Sequence, residues 1–158
     1  MLTCLDIDIA TLTPLNAFLE KGPNFLAVML PTFTASEANG GVKKAIKLIS
    51  GKIRYKAEHW RDKHRRHKSQ KAIVNFTLRP HRSMLKLPCK IILTRYAPRK
   101  LDQFDNLPMS LKYILDGICE VITGDYVPGR ADSHEGLEVK YQQIVNKQYG
   151  VLIQIIMT

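Results

Sequence analysis

Two aspartates in a short polar loop, Asp102 and Asp105, are the residues of this sequence best suited to carry chemistry. The loop follows a long basic stretch and lies between a strand-like segment, Cys89 to Tyr96, and a helix-like segment, Leu107 to Ile122. Carboxylate oxygens are ligands that Mg²⁺ takes in proteins, and a bound Mg²⁺ can contact phosphate oxygens and activate water. Acids beside a cationic surface therefore predict a metal held against a phosphate backbone.

A third carboxylate, Asp132, opens the segment before the next predicted strand. If that strand pairs beside Cys89 to Tyr96, we expect Asp132 to reach the same end of the sheet as Asp102 and Asp105. Three carboxylates on adjacent loops could hold one or two Mg²⁺ ions, with Mn²⁺ as the alternative metal. The competing interpretation is that these acids only cap helices and form turns, which is a common use of Asp in loops.

Lys112 and Asp116 are four residues apart on the second predicted helix. An exposed pair with this spacing stabilises a helix by only about 0.2–0.5 kcal/mol. The more specific interpretation places Lys112 one to two turns above the acid loop, where its ammonium would meet a phosphate or the leaving oxygen. Asn106 suits the N-cap of this helix, and Gly124 suits its end.

The net charge of +10 is concentrated in the middle of the chain. Residues 43–100 contain 19 Lys and Arg against 2 acids, whereas the other residues contain 5 bases and 12 acids. Charge segregated in this way usually faces a polyanion, and nucleic acid is favoured over an anionic membrane surface or a merely solvated helix face. The side chains that we expect to contact phosphates are Arg61, Lys63, Arg65, Arg66, Lys68, Arg95, Arg99 and Lys100.

The cysteines and the apolar runs argue against several classes of protein. Cys4, Cys89 and Cys119 are scattered and lack CxxC spacing, so they form neither a disulfide framework nor a zinc site, and a reducing cytosol fits. The first 20 residues have no basic start, which argues against a signal peptide. The longest apolar run, Phe25 to Pro31, is too short to span a bilayer.

The pattern of apolar residues predicts an α+β fold in a single domain at residues 24–158, preceded by an N-terminal arm of unknown role at residues 1–23. We expect a mixed sheet of about four strands packed by two main helices. The predicted strands, of which the last two form a hairpin, are Phe25 to Leu30, Cys89 to Tyr96, Leu137 to Ile144 and Val151 to Met157. The predicted helices are Ile53 to Phe76, with a break near Ser69 left open, and Leu107 to Ile122.

Three segments in this order carry a resemblance to a known family. They read Leu-Thr-Arg-Tyr-Ala-Pro-Arg-Lys-Leu-Asp-Gln-Phe-Asp-Asn-Leu from residue 93, Leu-Lys-Tyr-Ile-Leu-Asp-Gly-Ile from residue 111, and Ala-Asp-Ser-His-Glu-Gly-Leu-Glu-Val-Lys-Tyr-Gln-Gln from residue 131. Together they resemble the RusA family of Holliday-junction resolvases. That family has an Asp-x-Asp-Asn signature after a strand, a Lys and an Asp four residues apart on the next helix, and a further Asp before a late strand.

The resemblance assigns roles to residues that match those motifs. It implies that Asp102, Asp105 and Asp132 bind Mg²⁺ and that Lys112 is needed for cleavage, with support from Asn106 and Asp116. One departure is that Asp102 lies three residues before Asp105, where the family pattern has two. Asp132 matches the family's Asp before the late strand, and Asp125, His134 and Glu135 are nearby alternatives for that position.

The resemblance further implies an Mg²⁺-dependent, structure-selective DNA endonuclease, which resolves four-way junctions by paired symmetric nicks during DNA recombination and repair. It implies a homodimer, which suits the near-two-fold symmetry of a four-way junction. It implies neither a membrane nor a small-molecule cofactor, and a bacterial cytoplasmic setting with a phage or prophage origin left open. The alternatives are a non-catalytic basic nucleic-acid-binding protein and a degenerate resolvase.

Overall fold

The computed structural model describes residues 19–32, 34–35, 59–127 and 130–158, together with the backbone of two further strands at 43–47 and 53–57. The predicted α+β class is confirmed. In chain order the main elements are β1 (Leu19–Gly22), β2 (Phe25–Leu30), β3 (Lys43–Lys47), β4 (Ile53–Ala57), α1 (Trp60–Leu78), β5 (Cys89–Ala97), α2 (Asn106–Thr123), β6 (Leu137–Val145) and β7 (Gly150–Met157). A short 3-10 turn, Ala131–Ser133, precedes β6.

The main sheet is mixed and has five strands in the order β1-β2-β7-β5-β6, rather than the four or so expected. The additional strand, β1, comes from the end of the predicted N-terminal arm and pairs with β2, with Leu19 opposite Val28. Residues 19–22 of that arm are therefore part of the sheet, whereas residues 1–18 lie outside the described residues. Strands β3 and β4 form a separate two-stranded sheet.

Strands β6 and β7 do not form the predicted hairpin, because β5 lies between them. Thr94 of β5 is opposite Gln142 of β6 in parallel register and opposite Leu152 of β7 in antiparallel register. The connection from β6 to β7 crosses the end of β5, where the Asn146 N–H donates to the Ala97 carbonyl at 3.0 Å. Burial explains the order: β7 is apolar along nearly its whole length and is buried, as a central strand requires, whereas β6 alternates and suits an edge.

The predicted helix from Ile53 to Phe76 is wrong over its first residues. Ile53–Ala57 forms β4, and α1 begins at Trp60 and continues past Ser69 to Leu78 without a break. The apolar and basic residues of Ile-Arg-Tyr-Lys-Ala alternate, and this period of two is typical of a strand. His59 caps α1, since its Nδ1 accepts a hydrogen bond from the Arg61 N–H at 3.3 Å.

Helix α2 confirms the prediction for Leu107 to Ile122 and is one residue longer at each end. Its apolar stripe is buried against the sheet, with Leu107, Leu111, Ile114 and Ile118 all fully buried. The helix ends at Gly124, whose φ of 74° is the left-handed conformation that glycine adopts without steric cost. Neither α1 nor α2, the helices in the described part of the chain, combines the length and apolarity that a bilayer crossing requires.

The two helices pack closely against each other at Gly117. A Cβ atom at this position would lie 3.2 Å from Cγ1 of Val74, so a side chain here would require Val74 to shift by a few tenths of an ångström. Val74 and Leu78 of α1 are fully buried in the same core as the α2 stripe. This close contact fixes the basic helix α1 beside the helix that follows the acid loop.

Candidate functional site

The acid loop connects β5 to α2, and Asp102 builds its turn. The Oδ1 atom of Asp102 accepts hydrogen bonds from the N–H groups of Phe104 at 3.1 Å and Asp105 at 3.0 Å. Its backbone carbonyl accepts from the Leu107 N–H at 2.9 Å. Asp102 thus performs the turn-forming role of the competing interpretation, while its Oδ2 atom takes no part in these two bonds.

Asp105 occupies the N-cap position of α2, which the sequence had assigned to Asn106; the helix instead begins at Asn106. Within the described part of the chain, the Asp105 side chain makes no capping hydrogen bond, and the residue is exposed. A carboxylate at this position is favoured by the positive end of the helix dipole. The exposed carboxylate therefore faces solvent at the start of α2, where a ligand can approach it.

Asp105, Lys112 and Asp116 lie on one face of α2. They are spaced seven and four residues apart, and both spacings return a side chain to the same face of an α-helix. With a rise of about 1.5 Å per residue, Asp105 and Lys112 are about 10 Å apart along the helix axis. The acid loop is therefore close to Lys112 but separated from it by two turns.

Asp132 does not lie at the predicted end of the sheet. Because β5 and β6 are parallel, with Cys89 opposite Leu137, the segment before β6 lies where β5 begins, whereas the acid loop lies where β5 ends. Asp132 instead packs alongside α2 in the turn Ala131–Ser133, in which Ala131 is buried. Its Oδ2 atom is 3.8 Å from the Lys112 Nζ atom.

Lys112, Asp116 and Asp132 together form a cluster that we call the KDD cluster. The Lys112 ammonium lies 3.6 Å from Asp116 Oδ1 and 3.8 Å from Asp132 Oδ2. The lysine side chain is 46% exposed, and the two aspartate side chains are 20% and 30% exposed. Two carboxylates from separate elements thus meet one cation at a half-exposed place on the surface.

Burial governs the electrostatics of this cluster. Burial raises the pKa of the Asp116 carboxyl, and the nearby Asp132 carboxylate raises this pKa further. The ammonium groups of Lys112 and Lys71 oppose these effects and lower the pKa of Asp116. Perturbed carboxyl pKa values of this kind are concentrated at functional sites, although ordinary ion pairs also produce them.

Two side chains beside the KDD cluster, Cys119 and Tyr141, are shielded from water. Burial raises the pKa of the Cys119 thiol to about 12, and the charges of Asp132 and Asp116 contribute. Burial also raises the pKa of Tyr141 on β6, with smaller contributions from Cys119 and the same two aspartates. Cys119 is fully buried and follows the partly buried Asp116 by three residues on α2, so Asp116 lies between solvent and the apolar core, where charge interactions are stronger than in water.

Asp102, Asp105, Asp116 and Asp132 carry the oxygen donors that a hard divalent cation takes, but they are divided between two places. Among the described residues, no three side chains of His, Cys, Asp or Glu are gathered as one metal would need. Asp116 and Asp132 nevertheless already share one cation, the Lys112 ammonium, and carboxylate oxygens are the ligands that Mg²⁺ prefers. Asp116 and Asp132 would hold such an ion, with Asp105 and Asp102 the acids at the start of the same helix.

Asp116 is predicted from sequence as a supporting residue, both as the helical partner of Lys112 and through the family resemblance. The structure places it against the same Lys112 ammonium that Asp132 contacts. The signal that could have found it is its spacing of eleven residues from Asp105, which places both acids on one helix face. Of the alternatives for the late acid, Asp125 forms a turn, since its Oδ1 accepts from the Val127 N–H at 2.9 Å.

Arg95 does not serve the predicted phosphate contact. It is only 3% exposed, its Nε donates to Thr34 Oγ1 at 2.9 Å, and its Nη1 donates to the Arg99 carbonyl at 2.8 Å. Burial lowers the pKa of its guanidinium, which Tyr149 partly opposes. Arg95 thus stabilises, through its hydrogen bond to the Arg99 carbonyl, the segment that leads into the acid loop.

The other predicted phosphate contacts remain at the surface. Arg99 and Lys100 are exposed directly before the acid loop, and Arg61, Arg65 and Lys68 are exposed on α1. Lys63 and Arg66 on α1 are partly exposed.

A scan against protein-family models and a search of curated proteins both find no match to this chain. The resemblance to the RusA family therefore rests on the motif residues alone.

Proposed function

We propose that this protein is an Mg²⁺-dependent, structure-selective DNA endonuclease that resolves Holliday junctions by paired nicks. The observation that carries the proposal is the meeting of Lys112, Asp116 and Asp132 at one half-exposed place, beside the basic helix α1. A protein that only neutralises phosphates gains nothing from two carboxylates placed there. The motif resemblance to RusA-like resolvases supports the same reaction.

In this proposal the carboxylates hold the metal and Lys112 acts on the phosphate. Asp116 and Asp132 are the principal ligands, and Asp105 and Asp102 extend the acidic surface toward the loop. A bound Mg²⁺ would polarise the scissile phosphate and activate water. If Asp116 and Asp132 held a metal ion, the Lys112 ammonium would be available to neutralise charge on the phosphate or on the leaving oxygen.

The cationic surface supplies the binding in this proposal. Arg99 and Lys100 lie next to the acid loop, and α1 presents further basic side chains on the neighbouring helix. Such contacts read the phosphate backbone rather than base sequence, which suits a nuclease that selects branched shape. The resemblance also supports a homodimer acting on the two-fold symmetric junction, and a bacterial cytoplasmic setting with a phage-related origin.

A second candidate is a non-catalytic nucleic-acid-binding protein. Two observations favour it: Asp102 is used in a turn, and the Lys112 ammonium already forms ion pairs with Asp116 and Asp132. In that case the acids are structural, and only the basic surface acts. The two candidates differ in what the loss of one carboxylate does to cleavage.

The experiment compares a synthetic four-way junction with a linear duplex of the same sequence, in Mg²⁺ and in EDTA. We expect the wild type to nick only the junction, and only with Mg²⁺, while Asp132→Asn binds it without nicking. Glu138→Gln is the matched control, because Glu138 is an exposed acid on β6 that pairs with Lys90 away from the KDD cluster. Junction binding without nicking by every variant, wild type included, would favour the second candidate.

A further inference from the structure

A cavity of about 480 Å³ opens between α1 and α2 beside the KDD cluster. Its lining consists of two histidines, two lysines and one tyrosine, namely His64, His67, Lys68, Lys71 and Tyr113. The volume is within the range of small-ligand sites, which is roughly 300–1,000 Å³. A lining of lysines and rings suits a ligand that is both anionic and flat.

The rings in this cavity are already stacked. The centroids of His67 and Tyr113 are 3.5 Å apart, and their planes differ by 17°. His67 is buried at 8% exposure, whereas Tyr113 is partly exposed and lines the cavity. A fixed aromatic pair with one accessible member is a platform on which a nucleic-acid base can stack, as it does on the aromatic side chains of single-strand-binding proteins.

The cations are arranged around these rings. Lys68 is exposed, and the Lys71 ammonium donates to Glu120 Oε1 at 2.5 Å, which fixes its position. Glu120 is itself only 9% exposed, so the ion pair holds α1 to α2 at the cavity. An ammonium has three N–H donors, and the Glu120 bond uses one of those on Lys71. The others can meet a phosphate.

The cavity adjoins the KDD cluster. Tyr113 follows Lys112 directly in α2, and the Lys71 ammonium is near enough to Asp116 to lower the pKa of its carboxyl. A strand whose phosphate lies at Lys112 would therefore run close to the mouth of the cavity. Base pairs stacked in a duplex cannot enter such a cavity, whereas a base that leaves the stack can.

We propose that this cavity binds one unstacked nucleotide of a DNA strand, with its base against Tyr113 and its phosphate against Lys68 and Lys71. The combination of an aromatic platform and cations at one mouth carries this inference. It rests on the proposed function only for the nature of the strand. Binding itself needs no metal and no cleavage, so the two can be tested separately.

The first test measures binding in EDTA of a fluorescein-labelled oligothymidine about 12 nucleotides long, by fluorescence anisotropy. We expect Tyr113→Leu to weaken binding about tenfold, because one base loses its stacking partner. Tyr126→Leu is the control, because Tyr126 is a 53% exposed tyrosine in the segment after α2, and we expect it to bind as the wild type does. Equal affinities of the two variants would overturn the proposal.

A second variant, Lys68→Gln, tests the phosphate contact. Because Lys68 is exposed, we expect this variant to fold as the wild type does. We expect Lys68→Gln to reduce the slope of log K against log salt by about 0.7, the value for one phosphate contact on a single strand. Lys86→Gln removes the same charge from an exposed position outside the cavity lining and should leave the slope unchanged.

Photocross-linking separates this proposal from the proposed function. A four-way junction carries 5-iododeoxyuridine at successive positions around the crossover, and cross-linked peptides are identified by mass spectrometry in EDTA. We expect cross-links to Tyr113 or His67 from positions next to the crossover. Cross-links confined to other peptides would overturn the cavity even if the junction is cut in Mg²⁺. Cross-links to Tyr113 in a protein that never cuts the junction would support nucleotide binding in the cavity and contradict the proposed endonuclease activity.

Discussion

The acid loop, which precedes α2, and the KDD cluster, whose Lys112 lies two turns into that helix, use their aspartates differently. In the loop, Asp102 bonds two backbone N–H groups of its own turn. In the cluster, Asp116 and Asp132 come from separate elements and meet across the Lys112 ammonium. The loop is built by local backbone bonding, whereas the cluster exists only because the chain returns along α2.

The two regions also differ in hydration. The loop acids are exposed, whereas the cluster lies over Cys119 and Tyr141, whose pKa values burial raises. A carboxylate in the second setting interacts more strongly with a neighbouring charge than one in the first. The recognisable sequence signature and the electrostatically perturbed site therefore lie in different places. Four measurements test this difference between the two regions.

The first prediction, with the largest expected change, concerns the chemical reactivity of the Cys119 thiol beside the KDD cluster. With its pKa raised to about 12 from an ordinary value of 9.0, the Cys119 thiol carries about a thousandfold less thiolate than an unperturbed thiol. We therefore expect iodoacetamide at pH 8 to leave Cys119 unmodified in the native protein and to modify it in urea. Peptide mass spectrometry reads the result for each cysteine. Rapid modification of Cys119 in the native protein would show that this side chain is accessible to water.

The next effect concerns cleavage. We expect Asp132→Asn to lower the rate of junction nicking at least about 100-fold, because the neutral amide is a far poorer metal ligand than the carboxylate. We expect Asp102→Asn to lower it much less, since Oδ1 is retained as the acceptor for the turn. Single-turnover cleavage at saturating protein measures both. An equal loss in the two variants would show that the loop and the cluster form one site.

A smaller effect concerns the stability of the loop. We expect Asp102→Ala to lower the free energy of unfolding by about 1 kcal/mol, as the loss of a capping side chain does. Asp105→Ala is the matched control, and it should lower stability by only a few tenths of a kcal/mol because the Asp105 side chain makes no capping bond within the described structure. Urea unfolding of the three proteins gives the differences. A control that is as unstable as Asp102→Ala would contradict the assigned turn.

The smallest effect is the pH dependence of stability due to Asp116. The folded-state pKa of this carboxyl is raised, so the folded protein holds the proton more tightly than the unfolded chain does. Ionisation of Asp116 therefore lowers stability as pH rises from the ordinary carboxyl pKa of about 3.9 through the raised folded value. We expect Asp116→Asn to gain stability relative to wild type across that interval and the difference to level off above it.

The lysine sharpens this prediction. Lys112 lowers the pKa of Asp116, so Lys112→Gln should raise that pKa further and enlarge the pH-dependent loss of stability. Urea unfolding at a series of pH values measures the step in each protein. A step of the same size in wild type and Lys112→Gln would mean that the ion pair contributes nothing to the cluster.

Local patterns predicted the elements of this fold better than their pairing. The helix α2, the strand β5 and the glycine stop at Gly124 follow from periodicity and backbone preference, and the structure confirms all three. Strand β4 was missed because a run of alternating basic and apolar residues beside a helix was assigned to that helix. The split of β6 from β7 could not be read from sequence neighbours, because it depends on burial of β7 between two distant strands.

The same limit applied to the site. The sequence predicted Asp102, Asp105, Lys112 and Asp132 as candidate site residues, and its expected location of Asp132, at the acid-loop end of the sheet, was wrong. The location depends on whether β6 runs parallel or antiparallel to β5, and no local residue pattern decides that. Arg95 was assigned to the surface because a charged residue is rarely buried, whereas here Thr34 and the Arg99 carbonyl satisfy its guanidinium. Whether the site cuts DNA stays a prediction.

The position of β7 has a consequence for how the chain folds. This strand joins β2, more than 100 residues earlier in the sequence, to β5, and without it the sheet is two separate pairs, β1–β2 and β5–β6. Strand pairing across such a distance closes a long loop, and topologies rich in such contacts fold slowly. We therefore expect the sheet to form late and in one cooperative step. Until residues 150–157 are in place, the apolar faces of both pairs stay open to aggregation.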